Sequence, residues 1–437
     1  MNKKKITRRQ FCKKTAAGFI GASAVFSIVP RSVLGGEGYT PPSEILTHAV
    51  IGVGGMGRGH IRMIDEDEEG KLLAVCDVDD EHLEKALNMG GAEVKGYKDF
   101  REVLDRTDID IIHIATPPHW HALMSVMAAD AGFDVYCEKP MTRTIAEGQK
   151  VVDAIKRNGR VFRLNTWFRY QTGEFYGSQC NVKDLKKLAM SGLLGFPLTF
   201  RISRSTGFDW KVGMWSGKTN LKPEPVPDCL DYDMWLGPAP FKPYSPERVH
   251  QKFRGYWDYD GGGMGDMGMH YLDPAQYILG KDDTSPVETE AYNPWPVHPD
   301  AIGMWGRVEM KYEDGCRIIL ESEEWGETTE VGKPILEGPK GRVYKGFKTD
   351  PERLADEVNS LPDPEPVIDD FNETVRTRKK FALNEVNGCR SNILTHLPNV
   401  AIRTGRKVKF DPVTMRFPGD EEANRIADQS MRAPWHL

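Results

Sequence analysis

Residues 47–57 read THAVIGVGGMG, an apolar run that ends in closely spaced glycines. The run 47–53 has the character of a buried parallel strand, and the glycines after it follow the Gly-x-Gly-x-x-Gly spacing of a dinucleotide-binding turn. In such a turn one glycine permits the tight bend, one admits the pyrophosphate to the backbone, and one lets the helix pack on the strand. The loop residues predicted to contact the dinucleotide are Gly52, Gly54, Gly55, Met56 and Gly57.

A carboxylate in the next strand adds the second part of this fingerprint. Asp77 ends the predicted strand 72–77, twenty positions after Gly57. A carboxylate at this place accepts hydrogen bonds from the adenosine ribose hydroxyls and repels a 2′-phosphate. The three residues that follow Asp77 include no arginine. The sequence therefore predicts NAD as the cofactor, in preference to NADP.

Short apolar runs alternate with amphipathic stretches as far as residue 166, which predicts a doubly wound α/β domain with a parallel sheet. Besides the two strands above, strands are predicted at 111–115, 134–137 and 161–164, and helices at 57–65, 80–89, 119–131 and 145–157. Beyond residue 168 the pattern changes. Helices are predicted there at 183–191, 371–377 and 386–403, a strand at 197–205, and a hairpin from 304–312 and 316–322. We expect a signal segment at 1–38, a Rossmann domain at 39–168 and a second domain at 169–437.

The N-terminus has the features of a twin-arginine export signal. Residues 7–13 read TRRQFCK, and a mild apolar run follows at 16–30. A basic region followed by a short apolar core is typical of a cleaved signal peptide, the alternative being a frayed basic arm. We expect a periplasmic or secreted protein that is exported folded and keeps no membrane anchor. Because free nicotinamide cofactor is scarce outside the cytoplasm, such a protein is expected to fold around its cofactor and retain it.

The composition narrows the classes of partner. The 437-residue chain has a formal net charge of -6 and no basic stripe beyond its N-terminus, which argues against nucleic acid as the main partner. Its seven cysteines are scattered and lack the spacing of a metal site, and folding in a reducing cytoplasm requires no disulfide. We therefore expect neither a disulfide nor a bound metal.

Two more strand ends carry polar residues toward the same edge of the predicted sheet. The segment 115–121 reads ATPPHWH and follows a buried strand, so Thr116 and His121 are predicted to lie beside the cofactor. The segment 135–140 reads VYCEKP, and it places Glu138 and Lys139 at the end of the next strand. A solvated loop pair is the commoner role of a Glu-Lys dipeptide. Here we expect Lys139 to point into the nicotinamide crevice.

A third motif combines a glycine-rich lead-in with two side chains that suit acid–base chemistry. Residues 261–270 read GGGMGDMGMH, and Asp266 and His270 stand four apart, on the same face of a helix. Histidine ionises near neutrality and is suited to general acid–base work. Two side chains at this spacing can also bind a metal, but no third ligand is evident, so metal binding is not predicted.

Together these segments resemble the Gfo/Idh/MocA oxidoreductase family over the whole mature chain. The resemblance is carried by the glycine loop, by the triplet at 138–140 and by the motif at 261–270. It implies that Lys139, Asp266 and His270 are the catalytic residues, with the base being either Lys139 or His270. It also implies a C-terminal α/β domain with a large open, mostly antiparallel sheet, which carries the substrate cleft on one face and an oligomer interface on the other.

Three functions remain open from the sequence. The leading one is a periplasmic NAD-dependent oxidoreductase that oxidises a secondary hydroxyl of a sugar or glycoside. The second is a redox-neutral glycosidase that oxidises, eliminates and re-reduces with the same NAD, and the third is a non-catalytic sugar-binding module. The segment 206–259 is long and rich in tryptophan and proline. Aromatic rings stack on sugar faces and charged groups bind sugar hydroxyls. The weaker substrate candidates are therefore Trp210, Trp215, Trp257, Tyr259 and Arg169.

Overall fold

The computed structural model describes residues 41, 44–166, 169, 175, 177–206, 215–292, 297–322 and 332–437. The predicted signal segment and Trp210 lie outside these residues. The chain divides into two compact units, Met1–Ile45 and Leu46–Leu437, and the fold below is that of the second. The domain boundary expected near residue 168 stays a prediction. Within the described part of the chain, no helix is both long and apolar enough to cross a membrane.

The first half of this unit is a six-stranded parallel sheet with the order β3-β2-β1-β4-β5-β6. Its strands are β1 (Leu46–Ile51), β2 (Gly70–Cys76), β3 (Lys95–Tyr97), β4 (Ile111–Ile114), β5 (Asp134–Glu138) and β6 (Phe162–Asn165). Its helices are α1 (Gly55–Asp65), α2 (Asp80–Gly90), α3 (Phe100–Leu104), α4 (His121–Ala131) and α5 (Ile145–Asn158). The predicted doubly wound sheet is confirmed. The strand order reverses between β1 and β4, and the loops after these two strands flank the crevice where such sheets bind ligands.

Two elements of this half, β3 and α3, were not predicted from the sequence, and one predicted helix begins differently from the prediction. Strand β3 is only three residues long and two of them are exposed, so it carries no apolar alternation. The short helix α3 begins at Phe100 behind the cap residue Asp99, whose side chain accepts a hydrogen bond from the Arg101 amide. The helix predicted from 119 is preceded instead by a 3₁₀ turn, Pro118–Trp120, because Pro117, which stands before a second proline, is held in an extended conformation.

The second half is built on an eight-stranded sheet with the order β13-β12-β11-β7-β10-β9-β8-β14. Only β7 and β10 run parallel, so the mostly antiparallel sheet implied by the resemblance is confirmed. Its strands are β7 (Thr199–Ile202), β8 (Glu288–Tyr292), β9 (Arg307–Lys311), β10 (Arg317–Glu321), β11 (Leu336–Gly338), β12 (Gly341–Tyr344), β13 (Lys348–Asp350) and β14 (Val408–Lys409). The predicted hairpin is β9–β10, closed by the Tyr312 amide donating to the Cys316 carbonyl at 2.8 Å.

The helices of this half contact the second sheet, one another and the first half. They are α6 (Val182–Ser191), α7 (Tyr232–Leu236), α8 (Gly262–Asp266), α9 (Gly268–Ile278), α10 (Leu354–Glu357), α11 (Phe371–Thr377), α12 (Glu385–Thr404) and α13 (Glu421–Ala427). The long helix α12 is buried along most of its length and contacts α5, α9 and β8. It therefore joins the parallel sheet to the second sheet and fixes where the two halves meet.

A chain of buried histidines runs through the core of the parallel sheet. His48 Nδ1 lies 2.9 Å from His113 Nε2, His113 Nδ1 lies 2.9 Å from His60 Nδ1, and His60 Nε2 lies 2.8 Å from Glu138 Oε1. With Glu138 ionised, three neutral rings satisfy these contacts in one way only, each donating its proton toward the carboxylate. Burial lowers the pKa of His48 to about 4 and that of His113 well below its usual value.

These lowered pKa values predict that the fold weakens in mild acid. The unfolded chain takes up protons below about pH 6.5, whereas folded His48 does not until about pH 4. The free energy of unfolding should therefore be fully present above pH 6.5 and fall as the pH drops toward 4. One such histidine lowers the free energy of unfolding by about 2 kcal/mol between pH 6.5 and 5. Urea unfolding over this pH range measures the effect.

The variant His48→Asn provides the comparison for this prediction. Its side-chain amide can still donate toward His113, but it has no group that titrates in this range. We expect a shallower loss of stability between pH 6.5 and 5 than in the parent protein. Equal slopes for the two proteins would contradict the role given to His48.

Candidate active site

The glycine turn after β1 is shaped by two close backbone approaches. Gly52 has φ +83°, and a Cβ atom placed there would lie 2.6 Å from the Thr116 amide nitrogen. A Cβ atom at Gly57 would lie 2.0 Å from the Gly52 carbonyl oxygen. Both contacts are far below van der Waals separation, so a side chain at Gly52 would displace the loop after β4, and one at Gly57 would push α1 away from the turn. The turn therefore has the packing that a dinucleotide-binding loop requires.

The other two glycines face open space. A Cβ atom at Gly55 would meet no atom within 4 Å, and one at Gly54 would meet only the His82 ring, at 3.9 Å. Helix α1 starts at Gly55 with no side-chain cap and no acidic residue in its first turn. Amide groups at a helix start attract anions. This cradle fits a pyrophosphate, and Met56, which is partly exposed, lies beside it on the wall of the same cavity.

Asp77 is held firmly at the end of β2. Its carboxylate accepts hydrogen bonds from the Val53 amide at 2.8 Å and from the Asp79 amide at 3.0 Å. The side chain keeps 10% exposure, and the residue lines the cavity next to the glycine turn. A fixed carboxylate at this place fits the ribose hydroxyls of a bound adenosine.

The structure places the other predicted cofactor contacts in two different roles. Thr116 lines the cavity beside Gly52. The ring of His121 is buried and lies between two backbone carbonyls, with nitrogens 2.7 Å from that of Thr116 and 2.6 Å from that of Pro140. Burial lowers its pKa, and a neutral ring donates to one of the two. His121 is not among the cavity-lining residues of the described chain. It connects the loop after β4 to the loop after β5, and so positions both.

Glu138 is mainly occupied by hydrogen bonds to neighbouring protein side chains. Its Oε1 atom accepts from His60 and from Asn165 Nδ2, each at 2.8 Å, and only a small part of the residue reaches the cavity. Burial would raise the pKa of Glu138, but the hydrogen bond from His60 and the charge of Lys139 lower it to about 2. Glu138 is therefore an anchored anion that fixes the strand end from which Lys139 projects.

The predicted catalytic pair is brought together across the two halves of the molecule. Lys139 Nζ donates to Asp266 Oδ1 at 2.6 Å, and Arg254 Nε lies 2.8 Å from the same oxygen. Lys139 and Asp266 have side-chain exposures of only 10% and 11%, and all three residues line the cavity. Burial would raise the pKa of Asp266, but Lys139 and Arg254 hold it well below its usual value. The site thus contains a permanent carboxylate between two cations.

His270 lies one turn further along, on α9. It is only 1% exposed and is not among the cavity-lining residues of the described chain. Burial and the positive charge of Lys139 lower the pKa of His270 to about 3, so the ring is neutral at physiological pH. The structure places this ring in the electrostatic neighbourhood of Lys139 and Asp266, behind the wall that those two residues form.

Asp260 is a site residue that the sequence reading missed. It lines the cavity, and its Oδ1 atom accepts from the Gly261 amide at 2.6 Å. Burial and the negative charge of Asp266 raise the pKa of Asp260 to about 7. A carboxyl group that titrates near neutrality inside a cleft is a candidate for acid–base chemistry. Its place directly before the glycine-rich motif was the available signal, whereas Arg254 had none beyond its position in the 206–259 segment.

Three of the weaker substrate candidates are structural. Tyr259 and Trp257 are buried, and the Trp257 indole donates to the His298 carbonyl at 3.1 Å. Arg169 is also buried and donates to Asp273 through two nitrogens. Trp215 differs, because it lines the cavity. Among the described candidates, Trp215 is therefore the aromatic residue placed to contact a ligand.

A segment of the second half, which we call the strap (residues 228–256), crosses the first half beside this cavity. The Asp80 amide donates to the Cys229 carbonyl at 2.9 Å, and the Asp231 amide donates to the Val78 carbonyl at 3.0 Å. The Trp120 indole donates to the strap at the Trp235 carbonyl, at 3.1 Å. The strap and the glycine turn together enclose a cavity of about 790 Å³ that reaches from Asp77 to Lys139.

Comparisons with known proteins agree with this geometry. Residues 46–166 match the model described as "Oxidoreductase family, NAD-binding Rossmann fold", and residues 178–437 match "Oxidoreductase family, C-terminal alpha/beta domain". An inositol 2-dehydrogenase of Salmonella typhimurium is 30% identical over 155 residues, which are 35% of this chain and 44% of that protein. A glycosyl hydrolase family 109 protein of Shewanella sp. is 30% identical over 171 residues, 35% of this chain and 37% of the relative.

A solved structure shares the fold. The WlbA dehydrogenase of Bordetella pertussis, in complex with NADH and UDP-GlcNAcA, superposes with a TM-score of 0.58 at 18% identity, covering 84% of this chain and 99% of that one. The matches to the first curated relatives span less than half of their length. The two family models together cover both sheets and every residue of the candidate site. The chain therefore belongs to the Gfo/Idh/MocA oxidoreductase family and carries its NAD-binding Rossmann domain.

Proposed function

We propose that this protein is an NAD-dependent oxidoreductase that oxidises a secondary hydroxyl group of a sugar or glycoside. The observation that carries the proposal is the Lys139–Asp266 pair, which lines the same cavity as the glycine turn and Asp77. A hydroxyl-bearing substrate beside Lys139 would therefore lie next to the nicotinamide end of a dinucleotide bound at the turn. The inositol dehydrogenase relative supports a polyol or sugar as the substrate class.

The residues divide the chemistry between them. NAD, when bound, supplies the acceptor for a hydride from the substrate carbon. Lys139, fixed by Asp266, donates a hydrogen bond to the reacting oxygen of the substrate. It thereby stabilises the negative charge that develops on that oxygen when the hydroxyl proton leaves. A base must take that proton. The candidates are the carboxyl group of Asp260, which lines the cavity and titrates at about 7, and the neutral ring of the buried His270.

Retention of the cofactor is part of the proposal. The strap forms hydrogen bonds with the loop after β2 and with the Trp120 indole, and it lines the cavity beside Asp77. The strap covers one side of this cavity, so its contacts would slow the release of a dinucleotide bound there. This fits a protein that loads NAD before export through the twin-arginine route and works in the periplasm, and we further propose that it assembles there as a homo-oligomer.

A second candidate function is a redox-neutral glycosidase, which the family 109 relatives favour. Such an enzyme would oxidise the sugar, eliminate the aglycone and return the hydride, using the same Lys139 and the same retained NAD. The two functions differ in the balance of electrons over a whole turnover. A retained cofactor suits both, because the hydride has to be handed on inside the site.

The first prediction concerns the ion pair. Lys139→Met should lower kcat by about 10²- to 10⁴-fold, because it removes the donor to the reacting oxygen. NAD content should stay nearly unchanged, because Lys139 does not form the glycine cradle. The matched control is Lys183→Met, which removes a surface lysine paired with Asp363. Equal turnover in the two variants, measured with one sugar substrate, would remove Lys139 from the mechanism.

The second prediction concerns Asp260. If this group accepts the proton, activity should rise as the pH increases through about 7, where the carboxyl group ionises. Asp260→Asn should abolish that inflection as well as lower kcat. A pH–rate profile that keeps its inflection near 7 in the variant would assign the proton to another group, with His270 the next to be tested.

The third prediction concerns Asp77. Asp77→Ala should weaken NAD binding by about 10- to 100-fold, the contribution expected for hydrogen bonds to a charged group. Asp77→Asn keeps an acceptor but loses the negative charge, so it should bind NADP better while losing less affinity for NAD. Fluorescence titrations with both cofactors measure this. Unchanged preference in both variants would move the ribose contact to another residue.

The fourth experiment separates the two functions. With an aryl glycoside as substrate, a dehydrogenase should leave an oxidised sugar still bonded to the aryl group. The glycosidase should release the phenol and a sugar in its original oxidation state. Chromatography with mass analysis of the products decides between them, and an untouched glycoside would exclude glycosides as substrates for either activity.

A further inference from the structure

We propose that Asp79, His82 and His250 form a binding site for a divalent transition-metal ion of the Zn²⁺ class at the rim of the cofactor cavity. The site does not depend on the reaction catalysed next to it. Asp79 and His82 belong to the parallel-sheet half, at the start of α2, whereas His250 lies on the strap. The three residues therefore meet where the strap crosses the first half of the molecule.

The three side chains are spaced as metal ligands are, and His82 Nδ1 also lies 3.6 Å from Asp77 Oδ2. One ligand atom from each of the three residues lies within 4.8 Å of the other two. His250 Nε2 is 3.5 Å from Asp79 Oδ2, and the rings of His82 and His250 have their centroids 4.9 Å apart. A hydrogen bond would need about 3 Å or less. Tetrahedral bonds of about 2.0–2.1 Å place neighbouring ligand atoms about 3.4 Å apart.

The carboxylate of Asp79 is oriented before any ion binds. Its Oδ1 atom accepts from the Glu81 amide at 2.9 Å and from the His82 amide at 3.1 Å, which fixes the side chain as the cap of α2. Its Oδ2 atom is the one that faces His250. The residue is 5% exposed. The metal-facing oxygen is thus held in place by the two hydrogen bonds made by its partner oxygen.

His250 is presented to this carboxylate by an unusual backbone conformation. Its φ is +52°, in the left-handed region that residues other than glycine enter rarely and at some cost in free energy. It opens the short 3₁₀ helix His250–Gly255, and it sits opposite His82 on α2. Such conformations persist where the surrounding structure requires them, often at binding sites. Here the conformation brings a second imidazole to the carboxylate.

The ligand set selects the class of ion. Two imidazole nitrogens and one carboxylate oxygen suit Zn²⁺, Co²⁺ or Ni²⁺, whereas Mg²⁺ and Ca²⁺ prefer all-oxygen sites. Three protein ligands leave a position for water. Bound in this way, the ion ties the strap to α2 next to Asp77, and so it holds the strap across one side of the cavity. We therefore expect the metal to slow the release of NAD.

Cobalt provides a direct spectroscopic test. Untagged protein carrying its NAD is stripped with a chelator and titrated with Co²⁺, whose visible absorption is intense in four- or five-coordinate nitrogen and oxygen sites. All eleven histidines lie in the described residues, so each can be replaced with its surroundings known. The test variants are His82→Ala, His250→Ala and Asp79→Asn, the last of which keeps an acceptor for the helix cap. The control is His436→Ala, which removes an exposed histidine near the C-terminus.

The expected result is saturable uptake of one Co²⁺ per chain, with a visible band that Zn²⁺ displaces. Each test variant should lose the band or bind Co²⁺ at least tenfold more weakly, and His436→Ala should bind like the parent. Failure of the parent protein to take up Co²⁺ would overturn the proposal, and so would a band that survives in both His82→Ala and His250→Ala. The readout needs no turnover. The metal-site proposal can therefore be contradicted while the proposed oxidoreductase function stands, and the proposed function can be contradicted while the metal site stands.

Discussion

The Lys139–Asp266 ion pair is the interaction on which the active site depends. It joins the end of β5, in the parallel sheet, to the end of α8, in the second half. Both charges are almost entirely withdrawn from water, which is costly unless each finds partners. Asp266 gains a second one in Arg254, which the strap provides. The pair therefore has its geometry only when both sheets and the strap are assembled. The site forms only in the fully folded chain.

The charges of this pair also set the protonation of their neighbours. Asp266 keeps its negative charge because two cations face it, and that charge in turn disfavours ionisation of the buried Asp260. Burial and the positive charge of Lys139 keep His270 neutral. A fixed cation, a neutral ring and a carboxyl group that titrates near pH 7 are thus the result of one buried arrangement. Alcohol oxidation needs such a combination, a donor for the oxygen together with a group able to accept its proton.

Much of this could be predicted from local sequence. The positions of the glycine turn and of Asp77 follow from residue spacing, and the order of strands and helices follows from apolar periodicity. A buried parallel sheet is one of few folds that fit such a pattern. The motifs around Lys139 and Asp266 indicated that the two residues belong to one site. The roles of Arg254 and Asp260 could not be assigned, because they depend on how deeply the fold buries these residues and on their closeness to the charge of Asp266, which no local motif records. For His121, the motif suggested a cofactor contact, but the ring lies between the carbonyls of Thr116 and Pro140.

We propose that the cavity between the glycine turn and Lys139 holds a retained NAD that accepts hydride from a sugar. The most direct test is the near-ultraviolet absorbance of the exported protein, mixed with a panel of sugars and glycosides without added cofactor. We expect a reduced-nicotinamide band to appear with at least one of them, lasting if the sugar is oxidised outright and transient if the hydride is returned. A protein that carries no nicotinamide, or that forms the band only when NAD is added, would contradict it.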